Sequence, residues 1–171
     1  MKEKLLLLLL TTASFANMHN ITSFEADFEQ NIVDDQNKTI LYYGHIKAIK
    51  PQYALWSYTK PVQKSVYILE NQAIIVEPEL EQAIIKKIGN NFDFFKLIQN
   101  AKRLSKNKYL ARYNNTTFII HTKNGTINSI VYKDEFENSV TITFRHQIED
   151  KKIDKEEFTP NIPEDYDIIR D

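Results

Sequence analysis

Residues 44–61 read GHIKAIKPQYALWSYTKP, and their reading decides the fold. Two alternating runs flank Pro51. Gly44, Ile46 and Ala48 share one face of the first, and Ala54, Trp56 and Tyr58 share one face of the second. Proline cannot donate to a sheet ladder, so Pro51 belongs at a bend or on an edge. The stretch therefore predicts two neighbouring strands forming the wall of an apolar groove. Lys50, on the parity of Ile46 and Ala48, is its odd cation, placed at the groove rim.

Downstream the same pattern continues. Strands are predicted over 39–50, 53–59, 64–70, 73–77 and 81–88, joined by short links at Lys50-Pro51, Lys60-Pro61, Glu70-Asn71 and Pro78-Glu79. Links this short make an antiparallel meander, since parallel strands need a crossover of a dozen residues or more. Strands resume over 108–113, 116–122, 126–133 and 138–146, with Asn124-Gly125 as the strongest hairpin signal. In the last of these, Val140, Ile142 and Phe144 alternate with Thr141, Thr143 and Arg145. One face is thus wet, which fits a single curved sheet better than a two-sheet sandwich.

Two segments break the strand pattern. Over 20–33, Ile21, Phe24, Phe28 and Ile32 fall on one helical row, with Thr22 and Glu25 spaced as a capping box. A helix is predicted there, either packed permanently or serving as a lid. Over 91–101, Phe92, Phe95 and Ile98 form a second helical row, extended by Phe94, Leu97 and Ala101. That helix is apolar over more than half its circumference, as suits a plain core helix or one closing a greasy cavity. The tail is charged to about Glu157. Beyond it, Phe158 to Pro163 reads as a stiff extended piece, and Tyr166, Ile168 and Ile169 as an added edge strand.

Met1 to Ala16 has the marks of a cleaved signal peptide. Lys2 and Lys4 precede a six-leucine run, and Ser14-Phe15-Ala16 has small residues at its first and third places. The expected mature unit is a single domain over 17–171. Without Lys2, Lys4 and Glu3, the 22 basic and 23 acidic residues become 20 and 22, a net charge near −2. This balance shows no basic stripe for nucleic acid. The chain has no cysteine, so it holds no disulfide and no lipid-bearing cysteine, and a soluble exported monomer is expected.

Chemistry is scarce. His19, His45, His121 and His146 lie at no metal-ligand spacing, and no nucleophile elbow or phosphate loop is present. The reading is of a non-enzyme with no metal and no cofactor. What stands out is apolar surface beyond the needs of one core. The candidate lining is Phe24, Phe28, Ile46, Ala48, Trp56, Tyr58, Phe94, Phe95 and Ile98. It suits acyl chains, each buried CH2 contributing about 0.8 kcal/mol.

Several motifs in order carry a resemblance: Phe24-x-x-x-Phe28-x-Gln30, Gly44, Lys50-Pro51 followed by Trp56, and Lys60-Pro61 with Gln63. Pro78 with Glu81-Gln82, Asn124-Gly125-Thr126-Ile127, and Phe158-Thr159-Pro160 followed by Pro163 continue it. Together they resemble the periplasmic outer-membrane lipoprotein carrier family. The resemblance implies an α+β fold: an open, incomplete antiparallel β-barrel (half-barrel) with helices lidding a hydrophobic concave face. It also implies a soluble periplasmic chaperone for acylated lipoprotein cargo. Its partners would be an inner-membrane lipoprotein-releasing ABC transporter and an outer-membrane acceptor. A different class remains beside it: a periplasmic sensor or adaptor that binds an amphiphile or protein tail without transporting it. Two departures are visible. Lys50 stands where the family has an arginine that latches the lid, unless it is simply a solvated lysine. Ile74 and Ile75 replace an aromatic pair, implying a more aliphatic groove.

Overall fold

The computed structural model describes residues 20–88 and 93–170. The expected signal segment 1–16 and Phe92 lie outside the described residues. Twelve strands form one sheet: β1 (Ser23–Val33), β2 (Thr39–Ile49), β3 (Tyr53–Lys60), β4 (Lys64–Ile68), β5 (Gln72–Glu77), β6 (Gln82–Lys87), β7 (Lys102–Ser105), β8 (Lys108–Tyr113), β9 (Thr116–Lys123), β10 (Thr126–Lys133), β11 (Ser139–Glu149) and β12 (Asp167–Arg170). One short helix, α1 (Phe94–Gln99), stands between β6 and β7. The order across the sheet is β12-β6-β5-β4-β3-β2-β1-β11-β10-β9-β8-β7. All pairings are antiparallel except β12 on β6. The two outermost strands do not meet, so the sheet is open.

The decisive stretch folds as its alternation requires. Gly44 pairs with Tyr58, Ile46 with Trp56 and Ala48 with Ala54, so the two apolar parities face the same way. Four strands separate β3 from β9. A flat sheet would hold them about 24 Å apart. Yet Trp56 of β3 and Phe118 of β9 line one cavity, so the sheet curls around its apolar face. A single core cluster runs along this concave face from Ala54 through Phe24, Phe144 and Ile130 to Ala111, and includes the buried face of α1.

The helix predicted over 20–33 is instead β1, the strand at the middle of the sheet. Phe24, Phe28 and Ile32 are spaced by four, and four is even, so they also share one face of a strand. Ala26 and Gln30 complete that face, and both are buried. The ladders to β2 and β11 decide between the two readings, because an eleven-residue strand paired on both sides satisfies its backbone groups more fully than a surface helix would. Phe24 and Phe28 therefore belong to the sheet floor, and of the two expected helices only α1 is present among the described residues. The expectation of a wet outer face holds over β1, β2 and β11. It fails over β3 to β6, where the tail lies. Phe158 packs with Tyr53 and Ile153, while Ile162 and Tyr166 pack against Tyr67, Ile74, Val76 and Ala83. Ile74 thus lies under the tail and does not belong to the groove. The predicted edge strand is present as β12; β7 is an exposed strand that the alternation pattern does not mark.

Candidate functional site

The concave face is built from strands whose inward residues are nearly all apolar. Phe24, fully buried, meets Phe144 edge-on at 5.2 Å between centroids and Phe94 of α1 at 5.6 Å. Phe28 lies against Trp56 at 5.1 Å and Tyr58 at 5.0 Å, both edge-on, the geometry aromatic quadrupoles favour. Gly44 makes this possible: a β-carbon there would stand 2.6 Å from Phe28 Cζ and collide with the Ser57 carbonyl.

α1 rests on this floor. Its N-cap is Asp93, whose carboxylate accepts hydrogen bonds from the backbone N–H groups of Phe95 (2.8 Å) and Lys96 (3.2 Å). Six residues are too few for a helix to persist alone. It is held by burial of Phe94, Phe95, Leu97 and Ile98. Lys50 stands beside the first turn, its Nζ 5.8 Å from the centre of the Phe95 ring. Its backbone N–H donates to the Thr22 carbonyl at 2.9 Å.

α1 covers only part of the concavity. Beside it opens a cavity of about 290 Å³, walled by Trp56, Tyr58, Val66 and Ile68 on one side and by Phe118, Ile130, Tyr132 and Ile142 on the other. Phe94 and Leu97 of α1 and Gln30 of β1 complete it. This volume is at the lower end of ligand pockets, which run to about 300–1,000 Å³. The Tyr58 hydroxyl donates to Gln30 Oε1 at 3.0 Å. Burial pushes the Tyr58 phenol far above its ordinary range, and burial likewise raises Tyr132, so both stay neutral.

All nine apolar candidates come together in or against one cluster. They do not share one role in it. Trp56, Tyr58 and Phe94 face the larger cavity, and Phe95 faces a much smaller one of about 20 Å³ beside Tyr53 and Ala54. Phe24, Phe28, Ile46 and Ala48 lie beneath, buried in the sheet floor, and Ile98 is buried on the face of α1 that rests on it. Lys50 lines neither cavity and stands at the α1 end, opposite the turns at 34–38 and 134–138. Gln30, Val66, Ile68, Leu97, Phe118, Ile130, Tyr132 and Ile142 are lining residues the sequence reading did not select. Alternation on either side of Asn124-Gly125 was the available signal for Phe118, Ile130 and Tyr132.

The outer face of β1, β2 and β11 carries charge instead. Asp27 accepts from His45 Nδ1 at 2.9 Å and from His146 Nδ1 at 2.8 Å, and Glu25 meets Lys151 at 2.9 Å. A bulge in β11 makes the second contact. Asp27 pairs with Arg145 while Glu25 pairs with Ile148, and His146 takes a left-handed φ of 52° that aims its ring at Asp27. Beyond the bulge Glu149 pairs with Phe24, and so shares its face. Burial first, and neighbouring Asp150 second, push its carboxyl above the usual range, and Oε1 is buried without a hydrogen bond.

The chain resembles known proteins in both sequence and fold. The family described as "Outer membrane lipoprotein carrier protein LolA" matches residues 19–120. The outer-membrane lipoprotein carrier protein of Campylobacter jejuni is 40% identical over 156 residues, covering 91% of each chain. That of Helicobacter pylori strain J99 is 35% identical, over 90% of this chain and 83% of its own. An uncharacterized conserved protein from Thermus thermophilus shares the fold, with a TM-score of 0.56, 12% identity, and coverage of 91% of this chain and 94% of its own.

Proposed function

The chain belongs to the outer membrane lipoprotein carrier family, and on that premise we propose that it is a soluble periplasmic chaperone. It binds the acyl chains of lipoproteins released from the inner membrane and carries them to the outer membrane. The observation that carries this reading is the apolar cavity in the concave face of an unclosed sheet. Binding, with no chemical step, is the whole activity. Residues 1–16 are a signal peptide removed on export, and the mature unit is one domain that works as a monomer. Among the described residues no helix is long and apolar enough to cross a membrane. An inner-membrane ABC transporter supplies the cargo, and an outer-membrane acceptor receives it.

In this reading α1 is the lid, and the energies are matched. Its four buried side chains contribute about 1.5–3 kcal/mol each, or about 6–12 kcal/mol in all. About ten methylenes entering the same space contribute about 8 kcal/mol. One acyl chain therefore competes with α1 on nearly even terms, and two or more displace it. Trp56, Tyr58 and Phe94 meet cargo first. Phe24, Phe28, Ile46 and Ala48 are reached once α1 moves, and Phe95 and Ile98 of α1 then turn their freed faces to the cargo. Lys50 is a weak latch on the first turn, a flexible point charge over Phe95 where the family's arginine offers a planar fork.

The test is depletion in the native cell. Outer-membrane lipoproteins should accumulate in the inner membrane, and acylated polypeptide should co-purify with the periplasmic protein at intact mass. Normal lipoprotein sorting after depletion would falsify the carrier reading.

A further inference from the structure

Among the described residues Gln30 is the one amide that lines the larger cavity, and it is buried, with 8% of its surface exposed. Around it β1 places Phe28 and Ile32, and the register across β11 places Ile142. A long polar side chain in such surroundings is costly unless its donors and acceptors are met. Only half of this amide is met. Its Oε1 accepts from the Tyr58 hydroxyl at 3.0 Å, and no hydrogen bond from its Nε2 amino group is formed among the described residues.

Tyr58 is itself held in place. Phe28 meets its ring edge-on at 5.0 Å and Tyr42 at 5.8 Å, and Lys64 Nζ stands 4.6 Å from the ring centre. A ring fixed on these sides presents its hydroxyl to Gln30 in one direction. With the amide oxygen accepting from that hydroxyl, the two amino N–H donors remain for an acceptor in the cavity that Gln30 lines. An acceptor entering among apolar walls would find donors already oriented, with little ordering cost.

We propose that Gln30, oriented by Tyr58, is a carbonyl-reading subsite for the ester group at the head of an acyl chain. This rests on the acyl-carrier reading above and deepens it. The apolar walls measure chain, whereas Gln30 checks that the chain is an acyl ester. Tyr58 is a positioning residue, acting through the amide.

The experiment uses the full mature protein and two soluble lipids that differ at one group. One is lysophosphatidylcholine with an ester-linked myristoyl chain, and the other is its ether-linked tetradecyl counterpart. Affinities are read by displacement of a hydrophobic dye. The wild type should prefer the ester by about three- to tenfold, the effect of one hydrogen bond. Gln30→Leu should bind ester and ether alike. Tyr58→Phe, which keeps the wall, should reduce the preference and covers the case in which Gln30→Leu fails to fold. Equal affinity of the wild type for both lipids, or a preference surviving in the folded variants, overturns the subsite and leaves the carrier reading standing. Failure of both lipids to bind overturns the subsite and the carrier reading together.

Discussion

One missing carbon at Gly44 lets the Phe28 ring lie across β2 and meet Trp56 and Tyr58. Gly44→Ala should lower stability by about 1–3 kcal/mol, the cost of overpacking a filled site, and equilibrium denaturation measures it. Retention of wild-type stability would mean that β2 shifts freely. Charge gives a second prediction. Hydrogen bonds from His45 and His146 hold Asp27 below its usual range, and chiefly Lys151 does the same for Glu25. Those contributions are present at neutral pH and fade as acid protonates the two carboxylates. Glu149 has the opposite sign. Its carboxyl is raised in the folded state, so its ionisation opposes folding at pH 7 and ceases to do so below the ordinary carboxylate range. Glu149→Gln should therefore raise the melting temperature at pH 7, with the gain closing near pH 4. An equal gain at both pH values would rule out titration of Glu149 as its source.

At the scale of elements, α1 is the lid of the proposed function, and its closure can be tested. Asp93→Ala removes the carboxylate that caps Phe95 and Lys96, a loss of about 1 kcal/mol from a helix with little intrinsic stability. Uptake of a hydrophobic dye should quicken in this variant and slow in Lys50→Arg, with Lys50→Leu on the fast side. Identical stopped-flow traces from all four proteins would detach both residues from closure. Most strands were legible because each turn is marked and each strand alternates; β8 and β10 run over the ranges their sequence predicts. β1 was not, since a spacing of four satisfies helix and strand alike, and only the neighbouring ladders separate them. β7 was not either, because its residues KRLS are all exposed and show no buried parity. Of the site, the Trp56 wall was readable from parity. The opposite wall and Gln30 were not, because which strands face each other across a curled sheet depends on its curvature.

For the whole molecule, the sheet places its one tryptophan in the cavity wall, half-buried beside Phe94. Intrinsic fluorescence should therefore report acyl loading directly, with an emission shift that saturates with the ligand. An unchanged spectrum at saturation would place cargo away from β3. The same architecture places β6 near one edge of the sheet and β7 at the other, with the chain passing between them once, through α1. That passage works as a tether between two edges that no hydrogen bonds join. Six helical residues span about 1.5 Å each and six extended ones about 3.4 Å, so unwinding α1 releases about 11 Å of slack. The element that walls one side of the cavity is thus also a reserve of length, and under the proposed carrier function a cargo displacing α1 would loosen the strap between those two edges.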